Sequence, residues 1–219
     1  MIRMLFLFFL LLTGRLCAQD THVRTYATCR GTTVETGDTL AGGVVLQSLR
    51  LYLSDFRFRL QGREVFRETD SYHLIDQDVP ESMQFRIPVS MYDEIRFSLG
   101  IDSLTNVSGA YGGDLDPTKG MYWTWNSGYI NVKLEGVSPN SKGKNGEFGL
   151  HLGGYMHPFQ TLCEVQSQVT ASGGIRVELD VCPMLEQADW KNYHNVMSPS
   201  AEAVRLTGLL GKSIRVYAE

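Results

Sequence analysis

Apolar and polar residues alternate with a period of two along most of this chain, as they do in β-strands that bury one face. Leu49, Leu51 and Leu53 alternate with polar or amphipathic neighbours, and Phe56, Phe58 and Leu60 continue in the opposite phase. The slip at Ser54-Asp55 predicts a bulge or a strand crossing between sheets. Gln61-Gly62 reads as a turn. Phe85, Ile87 and Val89 alternate, with Pro88 marking an edge or a break. Ile95, Phe97, Leu99 and Ile101 predict a half-buried strand ending near Gly100-Asp102. Ile130-Val132-Leu134 and Phe148-Leu150-Leu152 follow. In Ile175-Val177-Leu179-Val181 the intervening Arg176, Glu178 and Asp180 mark the wet face.

Helical spacing is confined to the C-terminal part. Ser198-Pro199 predicts an N-cap and first turn, Ala203, Leu206, Thr207 and Leu210 the buried face, and Gly211 the stop. Ile214-Arg215-Val216 predicts a last strand. Short strands separated by turn signals predict an all-β fold, an antiparallel β-sandwich with a short C-terminal helix. With no repeat and no long linker, residues 19–219 read as one domain. The Gly- and Asp-rich loop Ser103–Lys119 is long for a hairpin connection, and long ordered loops often carry function.

The first residues stand outside this pattern. Arg3 followed by the apolar run Leu5–Leu12 reads as a signal peptide over residues 1–18, too short to span a bilayer, with cleavage expected at Ala18-Gln19. A periplasmic or secreted location follows. Lipidation at Cys17 is the lesser reading, because Gly14-Arg15-Leu16 is a poor run-up to a lipidated cysteine. Of the 219 residues, 43% are hydrophobic, 11% aromatic and 20% charged, too apolar for a disordered chain and enough for one full core. The formal net charge is -4; losing Arg3 and Arg15 with the leader makes it more negative. No nucleic-acid partner is expected, and no transmembrane segment follows the leader. Cleavage leaves three cysteines, Cys29, Cys163 and Cys182, an odd number for an oxidising compartment. Cys163 and Cys182 flank a region that resembles a β-hairpin and are the favoured disulfide pair.

Two stretches carry candidate chemistry. In Met121-Tyr122-Trp123-Thr124-Trp125-Asn126-Ser127-Gly128-Tyr129, an extended backbone puts Met121, Trp123 and Trp125 on one side. The plainest reading is a buried aromatic strand. The sharper ones are an aromatic binding platform and an oxidised, redox-active Trp. In Phe148-Gly149-Leu150-His151-Leu152-Gly153-Gly154-Tyr155-Met156-His157, His151 lies opposite the apolar face, and Gly153-Gly154 permits close approach of another group. His151, Met156 and His157 offer imidazole and thioether donors, a set that suits copper better than calcium or magnesium. His73 and His194 are further candidates, and His22 falls in an N-terminus expected to be disordered. Gly113-Asp114-Leu115-Asp116-Pro117 reads as turn chemistry ahead of a calcium loop or an acid/base pair. Motifs for a nucleophile elbow, a zinc protease, a phosphate loop or a dinucleotide site are lacking, so no enzyme activity is expected.

Taken in order, Leu49–Ser54, Tyr72-His73-Leu74-Ile75-Asp76, Gly120–Tyr129, Leu134-Glu135-Gly136 and Phe148–Gly154 resemble the MbnP-like family of secreted copper-associated proteins, related to the methanotroph surface copper proteins. The likeness runs from about Leu40 to Val216. It implies a β-sandwich holding one copper ion. It also implies a partner, a di-haem MauG-like peroxidase, that oxidises a Trp to kynurenine, whose amine joins His side chains at the metal. Carried over, Trp123 is the first choice for the modified residue and Trp125 the second, and His151 is the first choice among metal ligands His151, His157, His73 and Met156. The methanotroph proteins carry a His two residues after the modified Trp; here Trp125 stands there, so the second ligand is left open: His157, His73 or His22, or none. The role implied is a monomeric copper-binding protein in copper acquisition. The alternative is a secreted carbohydrate- or protein-binding sandwich with Trp123, Trp125 and Tyr129 as its platform.

Overall fold

The computed structural model describes residues 20–125, 128–171 and 173–219. The expected leader with Cys17 lies outside the described residues, as do Asn126 and Ser127 of the aromatic run. In chain order the strands are β1 (Thr21–Cys29), β2 (Thr32–Thr33), β3 (Val45–Leu60), β4 (Arg63–Arg67), β5 (Tyr72–Asp76), β6 (Gln84–Ile87) and β7 (Tyr92–Leu99). Helix α1 (Ser103–Ser108) precedes β8 (Tyr122–Trp123), β9 (Gly128–Val137), β10 (Glu147–Gly153), β11 (Cys163–Ala171) and β12 (Gly174–Asp180). The chain closes with α2 (Cys182–Glu186), β13 (Asn195–Val196), α3 (Ala201–Ser213) and β14 (Ile214–Ala218).

These strands form two sheets in a sandwich-like fold. The smaller sheet runs β14-β12-β1-β2, with β6 also on β1; the larger runs β11-β7-β3-β9-β10-β13, with β4 and β5 on β3 and β8 on β9. Most pairings are antiparallel, as the sequence predicts. The exceptions are β1 with β12 and β10 with β13, which are parallel. Segments so far apart in sequence are free of the hairpin geometry that enforces antiparallel pairing.

The long strand β3 organises the larger sheet. Strands β9 and β7 follow one another along one edge of β3, and β5 and β4 along the other. The phase slip read from the sequence is a bulge: Asp55 has φ of 53° and the register with β7 shifts between Ser54 and Arg57. It lets Leu49, Leu51 and Leu53 before it, and Phe56 and Phe58 after it, all enter the same core. Gln61 and Gly62, both at positive φ, close the β3–β4 hairpin.

The main core fills the space between the sheets. Val23, Ile175, Val177 and Leu179 come from the smaller sheet, and Leu51, Phe97, Leu134, Leu150 and Leu152 from the larger. Ala203, Leu206 and Leu210 of α3 join them. This helix starts later than expected. Its cap is Ser200, whose Oγ accepts the Ala203 N–H at 3.1 Å, rather than Ser198-Pro199. Gly211 does not end it. A Cβ there would lie 3.1 Å from the Cβ of Cys163, so the glycine serves close approach to β11.

Three further expectations are corrected. The N-terminus is not disordered at His22, which lies in β1, where Val23, Thr25 and Ala27 are buried alternately. Part of the Ser103–Lys119 loop is helical, because Asp102 accepts the Thr105 N–H at 2.9 Å and caps α1. The disulfide joins Cys29 to Cys182, with Cα atoms 5.0 Å apart, and leaves Cys163 as a half-buried thiol. Topology explains the pairing. Parallel β1 and β12 bring Thr28 level with Asp180 and so Cys29 beside Cys182, whereas Cys163 opens β11 in the other sheet. Among the described residues, no helix is long and apolar enough to cross a membrane.

Candidate metal centre and its aromatic wall

A second, smaller apolar cluster sits outside the main core and contains the aromatic run. It consists of Tyr52, Leu74, Ile101, Leu115, Met121, Trp123, Tyr129 and Ile130, with Tyr72 and Tyr122 at its margin. Along β5, Leu74 belongs to this cluster while its neighbour Ile75 belongs to the main core, so the cluster covers the outer face of the larger sheet. Residues 101–121 close over it.

Polar anchors hold that cover down. Tyr52 Oη donates to the Asp114 carbonyl at 2.9 Å, and Tyr129 Oη donates to the Leu115 carbonyl at 3.0 Å. The Leu74 N–H donates to Asp114 Oδ2 at 3.0 Å, which ties the cover to β5, while Asp116 accepts the Thr118 N–H at 2.8 Å and serves its own turn. Asn106 on α1 accepts the Tyr129 N–H at 2.8 Å. Asn131 on β9 accepts the Ile101 N–H at 3.0 Å and donates to Thr161 Oγ1 at 2.8 Å, tying the end of β7 to the loop after β10. Burial pushes the Tyr52 and Tyr129 phenols above their ordinary range and Tyr72 up to about 12.

Within this cluster the two tryptophans differ. Trp123 pairs with Gly128 in a short β8–β9 ladder and is only 6% exposed. The strand stops there, so Trp125 sits in the turn and is 65% exposed, although its ring centroid stays 5.6 Å from that of Trp123. The Trp123 ring covers Gly153 of β10: a Cβ on that glycine would meet Cζ3 at 2.8 Å and Cη2 at 3.0 Å. The close approach expected of Gly153-Gly154 is therefore an indole laid on the backbone at Gly153 and the Phe159 backbone at Gly154. Trp123 and Tyr129 are both buried, which removes the three-residue binding platform as an alternative.

His151 stands two residues before Gly153 on β10. Leu150 and Leu152 point into the main core, so His151 points to the outer face, about 7 Å along the strand from Gly153. Its Nε2 lies 2.7 Å from Glu135 Oε1 on β9, and Lys133 Nζ lies 3.7 Å from the same oxygen. Burial lowers the proton affinity of His151, while Glu135 opposes that shift. The imidazole is favoured neutral, the form that binds metals. Glu135 is the site residue that sequence reasoning passed over, although Leu134-Glu135-Gly136 belongs to the pattern that carries the family resemblance.

The other expected ligands lie apart. His73 faces the inside of the sandwich, stacked on Phe85 with ring centroids 3.6 Å apart and 2.9 Å from a Glu68 carboxylate oxygen. It is on the opposite face of the larger sheet from His151. Met156 and His157 are exposed in the loop after β10, which Tyr155 anchors: its ring lies against Gly128, and its carbonyl accepts from Ser103 Oγ at 2.9 Å. His194 lines a cleft of about 450 Å³ together with Glu135, Glu147 and Met197. Its Nδ1 is buried without a hydrogen-bond partner among the described residues.

Comparison with known proteins decides the family. The MbnP family model matches residues 19–198. The chain belongs to the MbnP family. A solved structure of MbnP from Methylosinus trichosporium superimposes with a TM-score of 0.59 over 85% of this chain and 86% of that one. At 18% identity the likeness establishes the shared fold. No curated protein matches.

For an MbnP-family chain the test is whether these donors suit copper. Among the described residues, no three His, Cys, Asp or Glu side chains converge as a ready-made metal cage. The local chemistry around His151 does suit a metal. A carboxylate holds one ring nitrogen, and Nδ1 has no hydrogen-bond partner among the described residues, the usual outer-shell arrangement of a metal-binding histidine. A copper site here needs a donor that the unmodified side chains do not supply, and Trp123 shares the outer face with His151.

Proposed function

We propose that this chain is a secreted, non-enzymatic copper-binding protein whose site forms between Trp123 and His151 on the outer face of the larger sheet. The observation that carries the reading is the Trp123 indole lying on Gly153, two residues from a His151 oriented by Glu135. An unmodified indole is a poor metal ligand. Oxidation to kynurenine, as the family resemblance implies, opens the ring and leaves an aromatic amine on the side chain next to the imidazole. Copper, when bound, would supply redox-active or transport capacity with imidazole and amine donors.

The chain's own residues define the rest of the reading. Glu135 fixes the His151 ring. The apolar cluster of Tyr52, Ile101, Met121 and Tyr129 keeps water from the Trp123 side. A di-haem peroxidase of the MauG-like group acts as the oxidising partner, and copper acquisition is the cellular role.

Two measurements test this. Peptide mapping of protein purified from its native host is expected to find an oxidised Trp123; an unmodified peptide from cells with the partner active would refute the reading. Copper titration of that protein is expected to give one ion per chain, with binding weakened by His151→Ala. Binding unaffected by that change would refute the choice of ligand.

A further inference from the structure

Trp123 and Trp125 pose a problem of access. The ring that the reading above makes the target is buried against the Gly153 backbone and among Met121, Tyr129 and Ile130. A haem inside another protein cannot contact it, whereas an exposed ring beside it shortens the path. Trp125 is largely exposed, and its ring centroid lies 5.6 Å away with the planes tilted by 41°, which brings the two indoles close to van der Waals contact. We infer that Trp125 is the electron port of the site: an external one-electron oxidant takes an electron from exposed Trp125, and Trp123 refills it across the 5.6 Å contact.

The step makes and breaks no bond. A one-electron oxidant, such as a ferryl haem or a ruthenium(III) polypyridyl complex, is reduced by one electron, and Trp125 becomes an indole radical cation. Transfer from Trp123 returns Trp125 to the neutral indole and leaves the radical cation on Trp123. Tyr52 and Tyr129, the buried tyrosines of the cluster, are poor sinks for it. Tyr122 and Tyr129 ring centroids are 5.0 Å apart, and Tyr129 and Tyr52 are 6.0 Å apart. However, the Tyr52 and Tyr129 hydroxyls donate to backbone carbonyls. Oxidising a phenol at neutral pH requires its proton to leave, and a carbonyl oxygen is too weak a base to take it. Burial also opposes that loss. Tyr52 and Tyr129 therefore do not compete with the indole pair.

The port rests on Trp123 being the target, as in the reading above, but its test uses a synthetic oxidant and no partner. Native protein, Trp125→Phe, Trp125→Tyr and Trp123→Phe, each checked for folding by near-ultraviolet circular dichroism, are oxidised by flash-quenched ruthenium polypyridyl. Transient absorption follows the radical, and peptide mapping locates the product. In air-saturated buffer, where dioxygen adds to the indole radical and supplies the oxygen atoms of the product, native protein is expected to accumulate product on Trp123. Trp125→Phe is expected to lose that product several-fold. Trp125→Tyr is expected not to restore it, because an exposed phenol releases its proton to water on oxidation and holds the oxidising equivalent as a neutral tyrosyl radical. Trp123→Phe is expected to leave the product on Trp125. Oxidation of Trp123 in Trp125→Phe at the native rate would overturn the port. If host-purified protein carries no oxidised Trp, the partner reading fails and this result stands by itself.

Discussion

Gly153→Ala is the sharpest small change available at the site. The added Cβ would lie 2.6 Å from the Tyr129 carbonyl oxygen and 2.8 Å from Trp123 Cζ3. Neither neighbour can rotate away, since one is backbone and the other a ring packed in the outer cluster. Overpacking of this kind costs about 1–3 kcal/mol. With a urea dependence of about 2 kcal/mol per molar, the unfolding midpoint should fall by about 0.5–1.5 M. Gly149→Ala is the control on the same strand and face, because the one tight contact of its new Cβ would be the terminal methyl of Met197 at 2.8 Å, a flexible group that can yield, with Asn195 Oδ1 at an ordinary 3.6 Å. Urea titration followed by Trp emission reads both effects. Gly153→Ala should shift the midpoint and alter the native emission as Trp123 is displaced, while Gly149→Ala should do neither appreciably. A Gly153→Ala protein with native midpoint and emission would refute the placement of the indole on β10.

Non-reducing peptide mapping should link Cys29 to Cys182 and leave Cys163 unpaired. Reduction should destabilise the fold by as much as about 5 kcal/mol in a chain-entropy treatment, because the bridge closes a very long loop. A Cys163–Cys182 link would contradict the topology. By NMR titration, His151 should titrate below the usual histidine midpoint of about 6.5, and Glu135→Gln should lower it further by removing the group that opposes burial. Its linkage sign follows: His151 contributes stability above about pH 6.5 that is lost as pH falls through its lowered midpoint. A midpoint at or above the usual value would contradict the burial. Ser200→Ala should cost about 0.5–2 kcal/mol by removing the α3 cap, and an unchanged melting midpoint would put the helix start elsewhere.

The strands were legible because their side chains alternate. Even the bulge at Asp55 shows as a change of phase, since a strand that stays on one core must skip a residue there. What the sequence hides is which strand neighbours which. The parallel β1–β12 pair joins residues at opposite ends of the chain, and it decides the disulfide: Cys163 is nearer to Cys182 in sequence, but the chain changes sheets between β11 and β12. Strand β1 does not show in the sequence pattern because its buried positions include Thr21 and Thr25, which do not read as apolar.

The site was legible in its types of residue more than in its arrangement. Trp123, His151 and Gly153 stood out by composition. That the indole lies on the glycine depends on the β8–β9 hairpin folding over β10, and that Trp125 stays exposed depends on the strand ending after Trp123. His73 looks like any other candidate donor in the sequence. The alternation along β5 turns it into the sandwich against Phe85, while Leu74 faces the outer cluster. Glu135 reads as an ordinary surface carboxylate until antiparallel pairing with β10 places it within reach of His151.

The central claim is that Trp123 and His151 share one copper ion. Crystals of copper-loaded, host-purified protein, measured by anomalous diffraction at the copper edge, test it most directly. A single anomalous peak is expected, bonded to His151 and to a side chain derived from Trp123. A peak away from the outer face of β10, or a copper bound with Trp123 intact and remote, would contradict it.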